Sequence, residues 1–446
     1  MSDKKQQEAE QPRRSHKIWL WIKRWWLPIA ILLITSAGLA CALSIPQRVF
    51  ETPREPANDK SAPVLLAQSN LRLAFLYITG GAIAVMGLIE TFRKNNNEKL
   101  KTDQEKEKND RDHLRQVRAG RRERYTKAVE QLGDEKAPIR MGGVYTLVGL
   151  VDEWLEDESI DKYEDRLKEG QVIINNLCAY IRSPFTLASH YNELSNPTPK
   201  GIYKDKKEKF YADKATLDSE TDVRLGIIKE IHDRLQDSDK NTPGAWSDFE
   251  YDFSGSTFFY PIDLTNSYYA KPINFSGSTY TSWADFSGST YKGEAYFRNS
   301  TYQSKAIFNG STYKGRTVFI GSIFYSDVSF GENNENGSSS CFTKYTPNFY
   351  QKNYYQKTLF GSINNNFTVD NDKGHPIYLN PEGIPLKCKF LTLEQKEYLE
   401  GKFQEIEKIN NKLFEVKDLK EKEELSKKLQ ALNEELHKWR EEVTTV

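Results

Sequence analysis

The chain is poor in the side chains from which reactive sites are built. Its 446 residues contain four cysteines, six histidines and three methionines. Cys41, Cys178, Cys341 and Cys388 are far apart, with no CxxC pair and no metal-ligand spacing. Neither a disulfide framework nor a local metal site is encoded, and isolated thiols of this kind suit a reducing compartment. The histidines are equally scattered. No GxSxG, HExxH, Walker or GxGxxG pattern occurs, so the common nucleophile, zinc-hydrolase and nucleotide-binding signatures have no representative. Net charge is missing too, with 63 basic residues against 63 acidic. No global field draws the protein to nucleic acid or to an acidic substrate. An enzyme is therefore the least favoured reading, and no catalytic, cofactor-binding or metal-binding residue is predicted.

What the chain does have begins at its N-terminal end. A basic stretch (residues 1–24, with Arg13, Arg14, Lys17, Lys23 and Arg24) precedes 21 uncharged residues from Trp25 to Ile45, enough to cross a bilayer core. A second apolar run, Leu73 to Ile89, is near the lower length limit and extends over Thr91 and Phe92 if Glu90 snorkels. Together, residues 25–92 are predicted to form a two-span hairpin; a cleavable signal peptide fits less well, because the first run is long and a second follows. Basic residues flank the hairpin on its outer sides, whereas the loop 46–70 is nearly balanced. The positive-inside rule then places both termini in the cytoplasm of an integral membrane protein, with the lipid bilayer as one partner. Gly38 and Ala42, and Gly80, Gly81, Ala84 and Gly87, either allow close span–span packing or are lipid-compatible filler.

Residues 93–124 are dense in both signs of charge and read as a solvated helix or stalk, with a basic knot at Arg118, Arg121, Arg122 and Arg124. A solvated face or lipid-headgroup contact is favoured there over an acidic partner. Residues 125–243 turn helical: Tyr125–Leu132 ending at Gly133, then Ala137–Leu155, then Gln171–Ile181 stopped by Ser183-Pro184, and finally Asp222–Leu235. Thr186–Lys214 reads as a loop or an insertion. Gly142-Gly143 is expected to serve close helix approach, and His232 to be a surface or packing residue rather than a ligand.

From residue 246 to 332 the chain repeats every 11 residues. One large residue recurs without a slip: Phe253, Leu264, Phe275, Phe286, Phe297, Phe308, Phe319, Phe330. Five places later comes a second aromatic: Phe258, Tyr269, Tyr280, Tyr291, Tyr302, Tyr313, Phe324. Serine always stands two before the second centre, and a small or apolar residue two before the first; this is the period-2 signature of one inward strand face. Only Gly or Asn follows the first centre by two, at Gly255, Asn266, Gly277, Gly288, Asn299, Gly310 and Gly321. Those residues tolerate positive φ, so the chain is predicted to turn a corner there. Short strands, corners and inward aromatics describe a solenoid coil. The tyrosines depart from a plain apolar ladder. A buried hydroxyl needs a partner, so that face is expected to be open at its rim or wetter than usual.

ADFSG (284–288) and STYKG (289–293) resemble the A-(D/N)-(L/F)-X-X unit of pentapeptide-repeat proteins, in a variant with an added sixth residue. The upstream segments 124–133, 139–150 and 222–235, and 380–395 downstream, resemble flanks of membrane-anchored members. The resemblance implies a right-handed quadrilateral β-helix, and implies little about activity. The implied fold is multi-domain: two transmembrane helices, an α-helical module, the β-helix and C-terminal helices.

Residues 341–390, aromatic and Asn-rich without clean period, are expected to cap the coil. From Thr392, which forms a capping box with Gln395, residues 392–443 carry heptad-spaced apolar positions interrupted by the charged KEKEE. They pair either within one chain as a hairpin or between chains as a coiled coil, which would make a homo-oligomer. The function expected is a non-enzymatic membrane-tethered scaffold presenting the β-helix to a cytoplasmic protein partner. A DNA mimic or a stress or defence sensor is the alternative. The mimic is disfavoured by eight acids against six bases over 246–332, and no nucleic acid partner is expected.

Overall fold

The computed structural model describes residues 14–50, 62–236, 242–333, 337–351, 356–416 and 418–444. The chain divides into two compact units, Met1–Arg118 and Ala119–Val446. In the first lie α1 (Arg14–Val49) and most of α2 (Ala62–Leu132). Both contain windows long and apolar enough to cross a membrane, with mean hydropathy 2.1 in α1 and 1.8 in α2. Side chains such as Leu32, Leu33, Tyr77 and Ile78 stand exposed around them. The two helices touch through one of the predicted small residues: a Cβ on Gly38 would lie 2.3 Å from Thr79, whereas Gly80, Gly81 and Gly87 face open space. Ala42 is buried beside this contact, and Gln68 donates to the Phe50 carbonyl at 2.8 Å. The charged stretch after the second apolar run is helical, an exposed part of α2 carrying i,i+4 pairs such as Glu107–Arg111.

The second unit begins with the last turns of α2 and continues through α3 (Ala137–Leu155), α4 (Tyr163–Arg182), α5 (Tyr191–Leu194) and α6 (Lys207–Leu235). These helices bury Val144, Leu147, Val151, Ile174, Leu177, Ile227 and Ile231 in one core. Three sequence readings change here. The stretch taken as a loop, 186–214, contains two 3-10 turns, α5 and the first two turns of α6, because Phe210 and Leu217 supply a further buried stripe. The third helix starts at Tyr163, eight residues earlier than its apolar pattern suggests. Only Gly143 of the glycine pair serves close approach: its Cβ would lie 2.7 Å from the Ala128 carbonyl, while Gly142 is open.

Beyond the helices the chain winds into a right-handed β-solenoid of about four turns. Every strand is two residues long, and from Tyr251 to Ser329 each pairs in parallel with the strand 22 residues away, as Tyr251 with Ile273 and Thr279 with Thr301. Two 11-residue units therefore make one turn with four walls. Strands at 251, 273, 295 and 317 form the first wall; those at 257, 279, 301, 323, 359 and 389 form the second. The third holds 262, 284, 306 and 328, and the fourth 268, 290, 312 and 341. Inside, each 11-residue series splits into two stacks. Phe275 lies on Phe297 at 5.4 Å and Phe286 on Phe308 at 5.0 Å.

The stretch expected only to cap the coil also extends it. Phe342 stacks on Tyr313 at 4.5 Å, Phe349 on Phe319 at 5.0 Å, Phe360 on Phe324 at 5.5 Å and Phe367 on Phe330 at 6.0 Å. Loops of unequal length between these rings erase the period without breaking the ladders. Last come α7 (Leu393–Glu415) and α8 (Leu419–Thr444), packed on each other and against the second wall. The break between them falls at Val416–Asp418 rather than at KEKEE: Val416 is extended, and the Asp418 carboxylate accepts from the Lys420 amide at 2.7 Å as a new N-cap.

Candidate interaction surface

The residues singled out by the repeat are structural, and they occupy the inside. Ladder residues from Phe253 to Phe330 are at most 1% exposed. All seven corner positions have positive φ, from 53° at Asn266 to 71° at Gly277 and Gly321. The invariant serines hold the corners together. Ser278, Ser289, Ser300, Ser311 and Ser322 each donate Oγ to the carbonyl of the first-centre residue one coil back, at 2.6–2.9 Å. Several also accept the serine amide of the preceding coil, as Ser311 does from Ser289 at 3.2 Å. Ser340 and Thr358 continue this ladder onto Phe308 and Phe319. Both were missed in the sequence, although Ser340-Cys341-Phe342 and Thr358-Leu359-Phe360 repeat the Ser-x-aromatic pattern out of period. Ser256, at the first coil, is buried without a hydroxyl partner among the described residues.

The tyrosine rim is not open. Tyr269, Tyr280, Tyr291, Tyr302 and Tyr313 are at most 1% exposed. Burial raises the pKa of every one of these phenols, which keeps them neutral. Leaving such a hydroxyl unpaired costs about 1–3 kcal/mol.

Two polar joints, the first buried and the second half-buried, fix the solenoid to the helical module. Arg224, 1% exposed, donates to Glu220 at 2.7 Å, to the Ile181 carbonyl at 2.7 Å and to the Ser183 carbonyl at 2.8 Å. Its guanidinium also lies 5.7 Å from the ring of Phe259 in the first coil, and Phe259 stacks on Phe185. In the second joint, Asp152 accepts from Arg234 at 2.9 Å and from the Trp246 indole at 2.8 Å, with Arg234 over the Trp246 ring. His232 packs beside it, its Nε2 2.7 Å from the Thr265 carbonyl. Part of the basic knot is spent in the same way: Arg121 pairs with Asp157, and Arg124 with Glu153 at 2.6 Å. The acidic partner of those two arginines lies within the chain.

The second wall is covered by the chain itself. Ile323, Leu359, Leu391 and Leu399 are buried together, with Phe403, Leu436, Trp439 and Val443 packed around them. Lys396 donates to the Gly361 carbonyl at 2.6 Å, and Arg440 reaches the Asn299 carbonyl and the Thr301 hydroxyl. Burial lowers the Arg440 pKa to about 10.

What remains outward changes from coil to coil. The first wall shows Asp252, Asn274 and Tyr296, with Val318 at the same place buried, and the third shows Asp263, Asp285, Ile307 and Ser329. At the corner between the fourth and first walls, Lys271, Lys292, Lys314 and Arg316 are exposed and form no salt bridge among the described residues. Lys292 and Lys314 are 22 residues apart and so share one column. Cys178 and Cys388 lie elsewhere and are unreactive by environment: burial pushes both up to about 12, away from the thiolate form. No cluster of three His, Cys, Asp or Glu gathers at metal-binding distance among the described residues. Such a surface can bind through shape and charge. No family profile, curated protein or solved structure matches the chain.

Proposed function

We propose that the protein is a non-enzymatic, membrane-tethered scaffold of the pentapeptide-repeat type. Its solenoid would present a lateral surface to a protein partner in the cytoplasm. One observation carries the reading: the recurrent residues are used inside the coil and at its corners, while outward residues such as Asp252, Asn274, Tyr296, Asp263, Asp285 and Ile307 vary by coil and stay at least partly exposed. Solenoids of this construction usually serve binding. Lys292 and Lys314, stacked in one column with Lys271 and Arg316 beside them, suit an acidic patch on the partner, because stacked like charges cost stability unless something compensates them.

Crosslinking in native membranes, followed by mass spectrometry, tests the proposal. A partner recovered with the native chain and lost with Lys292→Glu/Lys314→Glu supports it; recovery unaffected by the charge reversal removes the docking row. Topology needs a separate probe. Cys341 and Cys388 are 6% and 3% exposed, too buried to report on sidedness. Ile363, at 82% exposure, is a suitable site for an engineered cysteine. An impermeant maleimide should label Ile363→Cys in inverted membranes and not in intact cells; labelling of intact cells overturns the cytoplasmic placement.

A further inference from the structure

Charge along one edge of the solenoid changes sign from end to end. The edge is the corner between the fourth and first walls. Its register is set by the Ala270 amide on the Ser247 carbonyl, that of Lys292 on Tyr269 and that of Lys314 on Tyr291. Positions 248, 270, 292 and 314 therefore form one column, and 250, 272, 294 and 316 another. At the end next to the helical module the columns start with Asp248 and Glu250. Tyr163 donates to Asp248 at 3.3 Å, and Gln171 bonds the carbonyl and the amide of Glu250 at 2.8 and 2.9 Å. These bonds bring the start of α4 alongside, with Glu164 and, just ahead of the helix, Asp161. Further along, the same edge carries Lys271, Lys292, Lys314, Arg316 and Lys344, all exposed.

Neither end is neutralised from within. Asp161, Glu164 and Glu250 are exposed and Asp248 is half-buried, and none of them forms a salt bridge among the described residues. The base standing among them is Lys162, since Lys168 is paired with Asp165 at 2.7 Å. At the basic end the carboxylate is Glu294, which accepts from the Tyr296 hydroxyl. Coils are about 4.8 Å apart, so Asp248 and Lys292, two coils from each other, are separated by about 10 Å. An ion pair closes at about 4 Å or less. The opposite charges of one edge therefore stay apart within one chain.

An edge that is acidic at one end and basic at the other is its own complement when a two-fold axis turns it end for end. Two copies laid edge to edge in opposite directions set each acidic end against a basic one, and do so at both ends of the contact. Exposed charges matched in this way fix orientation and speed encounter more than they add affinity, and salt weakens them. The other walls lack the pattern. The outward strand positions of the third, Asp263, Asp285, Ile307 and Ser329, hold no base, and the second lies under α7 and α8.

We infer that the occupant of the basic row is a second copy of this chain, paired antiparallel along this edge. The pairing presupposes the docking row proposed above and supplies its partner. The test is the protein mass of the full chain in detergent, measured by light scattering at low and at high salt. The native chain should be a dimer at low salt and dissociate as salt rises. Lys292→Glu/Lys314→Glu and Glu164→Lys/Glu250→Lys, all at exposed side chains, should each be monomeric. Their equimolar mixture regains one native contact, the unaltered acidic end of the first variant against the unaltered basic end of the second. It should hold more dimer than either variant alone. A native chain that is monomeric at low salt overturns the inference, as do dimers that survive both charge reversals and a mixture no more dimeric than its components. A native monomer that still loses a crosslinked partner on Lys292→Glu/Lys314→Glu overturns the pairing and upholds the docking row.

Discussion

Serine occupies the same place in every 11-residue unit, yet its removal should have opposite consequences at two of them. Ser311 sits in mid-solenoid, fully buried, donating to the Phe286 carbonyl at 2.9 Å and accepting the Ser289 amide at 3.2 Å. Ser311→Ala strands one buried carbonyl and one buried amide. At about 1–3 kcal/mol for each unpaired group, less some relaxation, the loss should be about 2–4 kcal/mol. Ser256 is equally buried, but it lies at the first coil, where no earlier coil offers a carbonyl, and its hydroxyl is unpartnered among the described residues. Ser256→Ala should be neutral or slightly stabilising. Both changes remove one oxygen and leave the backbone alone, so side-chain volume cancels between them. Urea unfolding of the solubilised chain, followed by tryptophan fluorescence, measures the pair, with Trp246 reporting from the solenoid's N-terminal end. Equal shifts for the two variants would refute the serine ladder as a source of stability. So would a shift at Ser311 below about 0.5 kcal/mol, the size expected of an unremarkable substitution.

Corner glycines should separate in the same assay. Gly255→Ala meets only the left-handed backbone cost of about 1–2 kcal/mol, since φ is 69° and space is open, whereas Gly321→Ala also drives a Cβ to 2.2 Å from the Asn299 side chain and should lose more. Arg224→Met leaves Glu220 buried without its main cation and two carbonyls without a donor; a loss of about 3–5 kcal/mol is expected, read as faster hydrogen exchange in α6. Burial lowers the pKa of His190, opposed by Glu193 and Asp213 and reinforced by Lys209. Below the ordinary histidine pKa of about 6.5 the unfolded chain takes up a proton more readily than the folded one. Stability should therefore fall as pH drops through that value, and His190→Gln should flatten the dependence. Cys388, with its pKa near 12 and 3% exposed, should resist alkylation at neutral pH until the coil unfolds, which pulsed labelling will show.

Corners and ladders were legible in the sequence because each rests on a local rule. Positive φ admits few residues, and an inward ring must recur at the strand period. The number of units per turn came only from the resemblance to four-sided repeat coils. Both units of a turn present the same inward aromatic and the same serine, so nothing local distinguishes closure after 11 residues from closure after 22. The irregular coil was hidden for a different reason. Phe342 follows Tyr313 by 29 positions and Phe360 follows Phe324 by 36; a solenoid tolerates such loops outside its walls, whereas a period search does not. The Asp418 cap is a local signal two residues from the amide it accepts, which the heptad pattern overrides, whereas the pairing of Arg121 with Asp157 joins residues that pattern alone does not bring together.

A β-solenoid has two ends that would each offer an unpaired strand edge to another chain. Here other parts of the chain meet the coil at each end. At the first coil the Ala270 amide donates to the Ser247 carbonyl, and Phe259 packs on Phe185 of the helical module. At the last, Leu359–Phe360 pairs with Lys389–Phe390, which runs directly into α7. Between the two ends stand the side walls. One of those walls is taken by α7 and α8, which bury Leu399, Leu425 and Leu432 and stack Tyr398 on Trp439 at 5.0 Å. These are the same heptad positions that a coiled coil between chains would need. Tethered by a short connection, the intramolecular arrangement competes at an effective concentration on the order of millimolar. An intermolecular helix must therefore bind considerably tighter than that before it can displace the hairpin and uncover the second wall.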